Sequence, residues 1–190
     1  GRELTAARLK VIPKLTKAVT RQLQDLGFRQ SELTVALTSV ASGADAKAGG
    51  FDTVEFQFAP NPGEPARPLR AIASSGELAR VMLALKTVLA AEDEIPVLVF
   101  DEVDVGISGA TAEIVGQLLR KLGENGQVMT VTHLPQVAAA ADRHYRLVKG
   151  TADDGRAVTT IEPVEGDDLV AELCRMLGAS PDDDAARAHA

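Results

Sequence analysis

Apolar side chains at Leu4, Ala7, Val11, Ile12, Leu15, Val19, Leu23 and Leu26 recur mostly at steps of three and four. That spacing is one face of a helix over residues 4–26. Gly27 is placed to stop it. Pro13, inside the stripe, predicts a kink or a break near Ile12. Residues 32–40 and 51–58 alternate apolar and polar positions instead, the pattern of half-buried strands. Between them, Ser42 to Gly50 is small and Gly-rich and reads as a loop. Residues 59–70 carry Pro60, Pro62, Pro65, Pro68 and Gly63, and read as an exposed, irregular connection.

The period then changes. Leu78, Val81, Met82, Leu85, Val88 and Leu89 define a helix over about residues 75–91. Ile95 to Phe100 is a continuous apolar run, as in a strand buried on both faces of a parallel sheet. A helix over 109–122, a second buried strand over 127–132 and a short helix over 135–141 follow, the last with Pro135 in its first turn. Residues 144–149 and 157–161 read as strands joined through Asp153-Asp154-Gly155. A last helix over 167–177 ends at Gly178. Three regions result: a helical lead-in at 1–30, an α/β body at 31–178 with a mostly parallel sheet and flanking helices, and a tail at 179–190 expected to be disordered. A helix–strand–helix–strand order places the working edge at the carboxyl ends of the strands.

Composition narrows the function. The 190 residues are 45% hydrophobic and 25% charged, with net charge −7. No apolar run of about 18 residues is present, which excludes a membrane-spanning helix, and no secretory leader pattern supports export. A cytoplasmic setting is expected. The single Cys174 excludes an internal disulfide and a cysteine zinc cage. It lies in an apolar stripe with Leu169, Leu173 and Leu177 and reads as a core residue. With no Trp and one Tyr, aromatic platforms for single-stranded nucleic acid are not expected. The charge is uneven: residues 1–30 carry +5, residues 31–150 carry −5 and residues 151–190 carry −7. The basic segment is a solvated helix face or a local phosphate contact, and the acidic body argues against a broad DNA-coating surface.

Three loops fall at the working edge. Ser74, Ser75, Gly76 and Glu77 open a helix. A helix N-terminus with small residues suits an anion, although Ser74 with Glu77 is equally a capping box. Val97 to Phe100 carries Asp101 and Glu102 to a strand end. Asp101 can hold Mg²⁺ through water, since hard cations prefer oxygen ligands, and Glu102 can polarise a water for attack on a phosphoryl group. Their alternative is a solvated acidic turn that includes Asp104. Val131-Thr132 ends the second strand at His133, whose imidazole can donate to a phosphate or position water, or be structural. One such loop says little. Three in this order favour phosphoryl chemistry.

The same order resembles the ATP-binding-cassette ATPases, and within them the SMC-like group that acts on DNA. Ser74 to Glu77 resembles the signature motif, with Ala73 and Ser75 standing where Leu and Gly are usual. Val97 to Glu102 resembles the Walker B strand, and His133 the switch histidine. Val105-Gly106-Ile107-Ser108 falls at the D-loop, which makes Ser108 a nucleotide contact. Similarity is close over about residues 70–150, and Asp-Glu-Val-Asp-Val-Gly-Ile-Ser-Gly at 101–109 is its most specific part.

No Gly-x-x-x-x-Gly-Lys-(Ser/Thr) occurs in the 190 residues. Lys47 lies among glycines but in a different register. The resemblance therefore implies the C-terminal lobe of a split head, with the Walker A loop on an N-terminal lobe beyond a coiled-coil arm that residues 4–26 would terminate. It further implies ATP and Mg²⁺ as cofactors, hydrolysis within an ATP-dependent homodimer of heads, and double-stranded DNA or its ends as partner in double-strand-break repair and recombination at the nucleoid. Ser74 to Glu77 would reach nucleotide held by the second head. Open alternatives are another chromosome-organising or nuclease-linked head of the group, an ATP-gated DNA clamp with little turnover, and an unrelated phosphate-binding domain.

Overall fold

The first helix, α1 (Arg2–Asp25), buries only its second half: Val19, Leu23 and Leu26 are enclosed, whereas Leu9 and Val11 are exposed. It runs through Pro13 as one helix, so the expected break is absent. Pro13 removes the amide that would serve the Leu9 carbonyl. That carbonyl lies on the exposed half, where water can replace the donor. The helix ends as expected at Gly27, whose φ is +95°. The amides of Phe28 and Gly27 return to the carbonyls of Leu23 and Gln24 at 3.0 and 3.3 Å, a pairing that needs a left-handed residue at that point. The structure is a computed structural model and describes residues 1–40, 48–92, 94–152 and 154–189. Residues 42–47 of the expected Gly-rich loop, Lys47 included, and Asp153 of the expected turn lie outside the described residues.

The alternating segments form β1 (Glu32–Ser39) and β2 (Asp52–Ala59), antiparallel in register from Glu32 opposite Ala59 to Ser39 opposite Asp52. Asp52 ties the pair to α1. Its carboxylate accepts from Ser39 Oγ at 2.6 Å, Arg8 Nη1 at 2.8 Å and Thr5 Oγ1 at 2.9 Å. The proline-rich connection is less irregular than expected. A two-residue β3 (Arg67–Pro68) pairs with β2, and a 3-10 turn at Leu69–Ala71 follows. Pro68 can sit there because β3 is an edge strand.

Helix α2 (Ser75–Val88) leads to β4 (Val97–Phe100), then α3 (Gly109–Gly123), then β5 (Gln127–Thr130). The two strands pair in parallel, Val97 opposite Gln127 and Phe100 opposite Thr130. Val81, Leu83 and Ala84 of α2, Val115 and Leu119 of α3, and Phe100 pack with Val19 and Leu23 of α1 in one core. Two expectations are corrected here. First, β4 and β5 are not buried on both faces. Phe100 points into the core while Val97 and Val99 point out, Val99 being 68% exposed. Ile95, Met129 and Val131 are exposed as well. Helices cover one face only, and the period of two leaves alternate apolar side chains bare. Second, the sheet is not mostly parallel. Among the described strands only β4 and β5 pair that way. The β2–β3 and β6–β7 connections are too short for a parallel crossover, and β1 and β2 pair antiparallel as well.

A short α4 (Pro135–Ala138) precedes the hairpin β6 (His144–Thr151) and β7 (Ala157–Val164). Helix α5 (Gly166–Met176) buries Leu173 and Cys174, the core role expected of that cysteine. Beyond Gly178, where disorder was expected, a six-residue α6 (Asp184–His189) forms, and Arg187 bonds Asp167 at 3.2 Å.

Candidate active site

Parallel pairing carries β4 and β5 to a common end. The Val131 amide donates to the Phe100 carbonyl at 3.1 Å, so the ladder continues to the residue before Asp101. Asp101 and Glu102 leave one strand, and His133 leaves its neighbour two residues past Val131. The two carboxylates are exposed and have no hydrogen-bond or ion-pair partner among the described residues. Glu102 has φ +58°, the left-handed region, unusual for a residue with a side chain. Its carbonyl accepts from the Val105 amide at 3.1 Å, closing a tight turn over residues 102–105.

That turn is gripped from two sides. Helix α2 begins at Ser75 with Ser74 as cap, the Ser74 Oγ accepting from the Glu77 amide at 3.3 Å. Ser74 and Ser75 are exposed, Glu77 is half-buried, and Gly76 is buried against the turn. A Cβ on Gly76 would come within 3.0 Å of the Val105 carbonyl oxygen and 3.2 Å of that of Glu102. A side chain there would have to displace the turn by a few tenths of an ångström. One helical turn on, Arg80 is 7% exposed and donates from Nη1 to the Val105 carbonyl at 2.7 Å, with that of Val103 at 3.5 Å. Its guanidinium lies 5.2 Å from the Phe28 ring centroid. Burial pulls its pKa below the usual value, and the nearby Glu77 charge pulls it back. Arginine stays protonated regardless.

The third loop is bound to the same turn through Asp104, which is 1% exposed. One of its oxygens, Oδ2, accepts from the Thr132 hydroxyl and from the His133 amide at 3.0 Å, and lies 3.3 Å from His133 Nδ1. Sequence reasoning counted Asp104 as part of a solvated acidic turn, and missed Arg80 and Thr132. A signal for Arg80 was present. It shares a stripe with Gly76, Leu83 and Ala84, spacing that puts a charge on the buried face of α2. Ser108 caps α3 without a side-chain cap bond and is exposed. Among the described residues no side-chain hydrogen bond or ion pair joins it to the other candidate residues.

Asp101 suits Mg²⁺, which takes one or two carboxylates and completes its shell with phosphate and water. Its oxygens are free to do so. No group of three His, Cys, Asp or Glu side chains able to hold a metal occurs among the described residues, so an ion at Asp101 would need its other ligands from elsewhere.

No family model matches the chain. Curated relatives do. The RecN DNA repair protein of Streptomyces coelicolor is 41% identical over 196 residues, spanning 98% of this chain and 34% of that protein. That of Deinococcus radiodurans is 41% identical over 190 residues, 100% of this chain and 32% of that protein. That of Treponema pallidum is 43% identical over 193 residues, 100% and 34%. Among solved structures, the Smc head domain with a coiled coil and joint from Pyrococcus yayanosii superposes with a TM-score of 0.62 at 18% identity, covering 92% of this chain and 31% of that one. A chain from a study of ATP-driven dimerization and DNA-stimulated activation of SMC ATPases gives 0.52 at 16%, covering 90% and 96%. The fold is that of an SMC head domain, and over nearly all of its length the chain is related to the RecN DNA repair proteins, of which it spans about a third.

Proposed function

We propose that the chain is the C-terminal lobe of a split ATPase head in a RecN-type protein, which binds and hydrolyses ATP between paired heads and acts on DNA in double-strand-break repair and recombination. The observation that carries this is the common rim: two unpartnered carboxylates on one strand end beside an imidazole on the next, above a tightly held turn. The bare outer face of β4 and β5 supports it. Val97, Val99, Met129 and Val131 are exposed there, and the relatives have about twice as much chain again to cover them. The Walker A loop lies in that remaining part on this reading.

Each residue then has a task. Asp101 would hold Mg²⁺, which would supply positive charge to the phosphates. Glu102 accepts a proton from the attacking water, and His133 orients that water or donates to a phosphate oxygen. Ser74, Ser75 and the α2 amides meet nucleotide on a second head, where the helix N-terminus favours phosphate charge, while Gly76 and Glu77 shape that end of the helix and Ser108 contacts nucleotide from the 105–108 loop. The SMC work on ATP-driven dimerization fits this division, in which ATP joins two heads. Binding shared by two subunits couples nucleotide to dimerisation.

The test is ATP turnover by the complete protein and by this lobe with and without its N-terminal lobe. Glu102→Gln is expected to lower turnover about 100-fold to 10,000-fold, the usual span for a general base, while nucleotide-bound dimers accumulate. Unchanged turnover removes Glu102 from that role.

A further inference from the structure

We propose that Asp104 is a positioning residue for His133: its buried carboxylate fixes the ring's rotamer and tautomer, so that Nε2 is the nitrogen presented at the rim. The proposal rests on the ATPase reading above and deepens it.

A carboxylate that is 1% exposed costs several kcal/mol unless donors replace its water. Among the described residues no Lys or Arg pairs with Asp104. All of its side-chain partners come from Thr132 and His133, across the gap from one strand end to the next. The burial is therefore compensated by the very residues that open the third loop. Dependence also runs the other way. The His133 side chain is 67% exposed, and Asp104 is the only group among the described residues that its ring meets in an ion pair or hydrogen bond. Nothing else there would hold an imidazole in one orientation.

The hydrogen-bond arithmetic selects a tautomer. Thr132 has one hydroxyl proton, given to Asp104, and its oxygen accepts from the Leu134 amide at 3.1 Å. The backbone after β5 is thereby pinned on both sides of His133. Nδ1 faces the carboxylate oxygen Oδ2 at 3.3 Å, which favours the tautomer that carries its proton on Nδ1. The neutral ring then offers the Nε2 lone pair to a water. The protonated ring offers an Nε2–H to a phosphate. In either form Nε2 does the work and Asp104 touches neither substrate nor water. Arg80 keeps Asp104 in place by holding the carbonyl of Val105 at 2.7 Å.

The experiment is a double-mutant cycle on steady-state ATP turnover of the complete protein, with thermal unfolding of each variant as a control. Asp104→Ala is expected to lower kcat on the order of tenfold to a hundredfold, the cost of misplacing a group by about 1 Å, with KM for ATP little changed. Asp104→Asn, which keeps an acceptor, falls between. In the His133→Ala background both substitutions cost nothing further, because a positioning residue has no effect without the group it positions. Should Asp104→Ala fail to fold, Asp104→Asn and Thr132→Val carry the same comparison. Equal costs with and without His133 overturn the proposal and leave the ATPase reading intact. Full turnover in both His133→Ala and Glu102→Gln overturns that reading and the proposal with it.

Discussion

Replacing Gly76 by alanine separates two opposed effects whose sizes follow from the geometry. Gly76 is the second residue of α2, where alanine is favoured over glycine by less than the ~1 kcal/mol of a helix interior. Against this, the new methyl would sit 3.0 Å from the Val105 carbonyl oxygen, 3.1 Å from Val105 Cβ and 3.2 Å from the Glu102 carbonyl oxygen. Two of these atoms are backbone, and the Val105 oxygen already serves Arg80 at 2.7 Å. They cannot swing aside as a side chain would. Overpacking of this kind costs about 1–3 kcal/mol. The net effect is a loss of about 1–2 kcal/mol, concentrated where α2 meets the 102–105 turn. Amide hydrogen exchange on the complete protein reads it locally: protection in the first turns of α2 and at Val105 should fall about fivefold to thirtyfold. Turnover should fall with it, because the displaced turn carries Glu102 and Asp104. Protection that is unchanged or raised would mean that helix propensity wins and that the close approach is not tight.

Two further outcomes are expected. Ser74→Arg in the complete protein should leave nucleotide binding by one head intact and abolish ATP-dependent pairing in sedimentation, at a cost of about 1 kcal/mol for the lost cap; a normal ATP-induced dimer counts against contact across subunits. Asp52 is held below its ordinary carboxyl pKa of 3.8, first by the Ser39 hydroxyl and then by Arg8. A depressed folded pKa stabilises above the unfolded value and is lost as pH falls through the folded one. Acid below about pH 4 should thus loosen α1 from β2 in hydrogen exchange, and Asp52→Asn should remove that dependence; an identical acid response in the variant would place it elsewhere.

What the sequence discloses depends on whether the physics is local. The stripe ending at Leu26 and Gly27 specifies α1 and its stop because spacing and left-handed φ are local demands. The strand–helix–strand order specifies the shared end of β4 and β5, and so the nearness of Asp101 and Glu102 to His133. Burial is not local. Val97 and Val99 read as enclosed because an apolar run says that something covers it, not whether that something is in the same chain. Asp104 was lost for the converse reason. Three acids in four residues resemble a solvated turn, and only the meeting of that turn with Thr132, 28 residues away, buries the third. Pro13 misled because its cost depends on whether the orphaned carbonyl is wet.

The charge of the rim completes the argument. Asp101 and Glu102 are unpartnered, and Asp104 adds a third carboxylate beneath them. The nearest buried cation, Arg80, is spent on the carbonyls of Val103 and Val105. A triphosphate approaching this edge alone would meet like charge with little to offset it. On the proposed reading, the positive charge comes from outside the chain, as a divalent ion at Asp101 and a lysine on a phosphate-cradling loop. Under the proposed function, such a rim would favour nucleotide only in company, and ATP binding would be a consequence of assembly. On the proposed reading, the exposed valines of β4 lie on the face that the rest of the head would cover, and the same contact would bring the missing charge to Asp101.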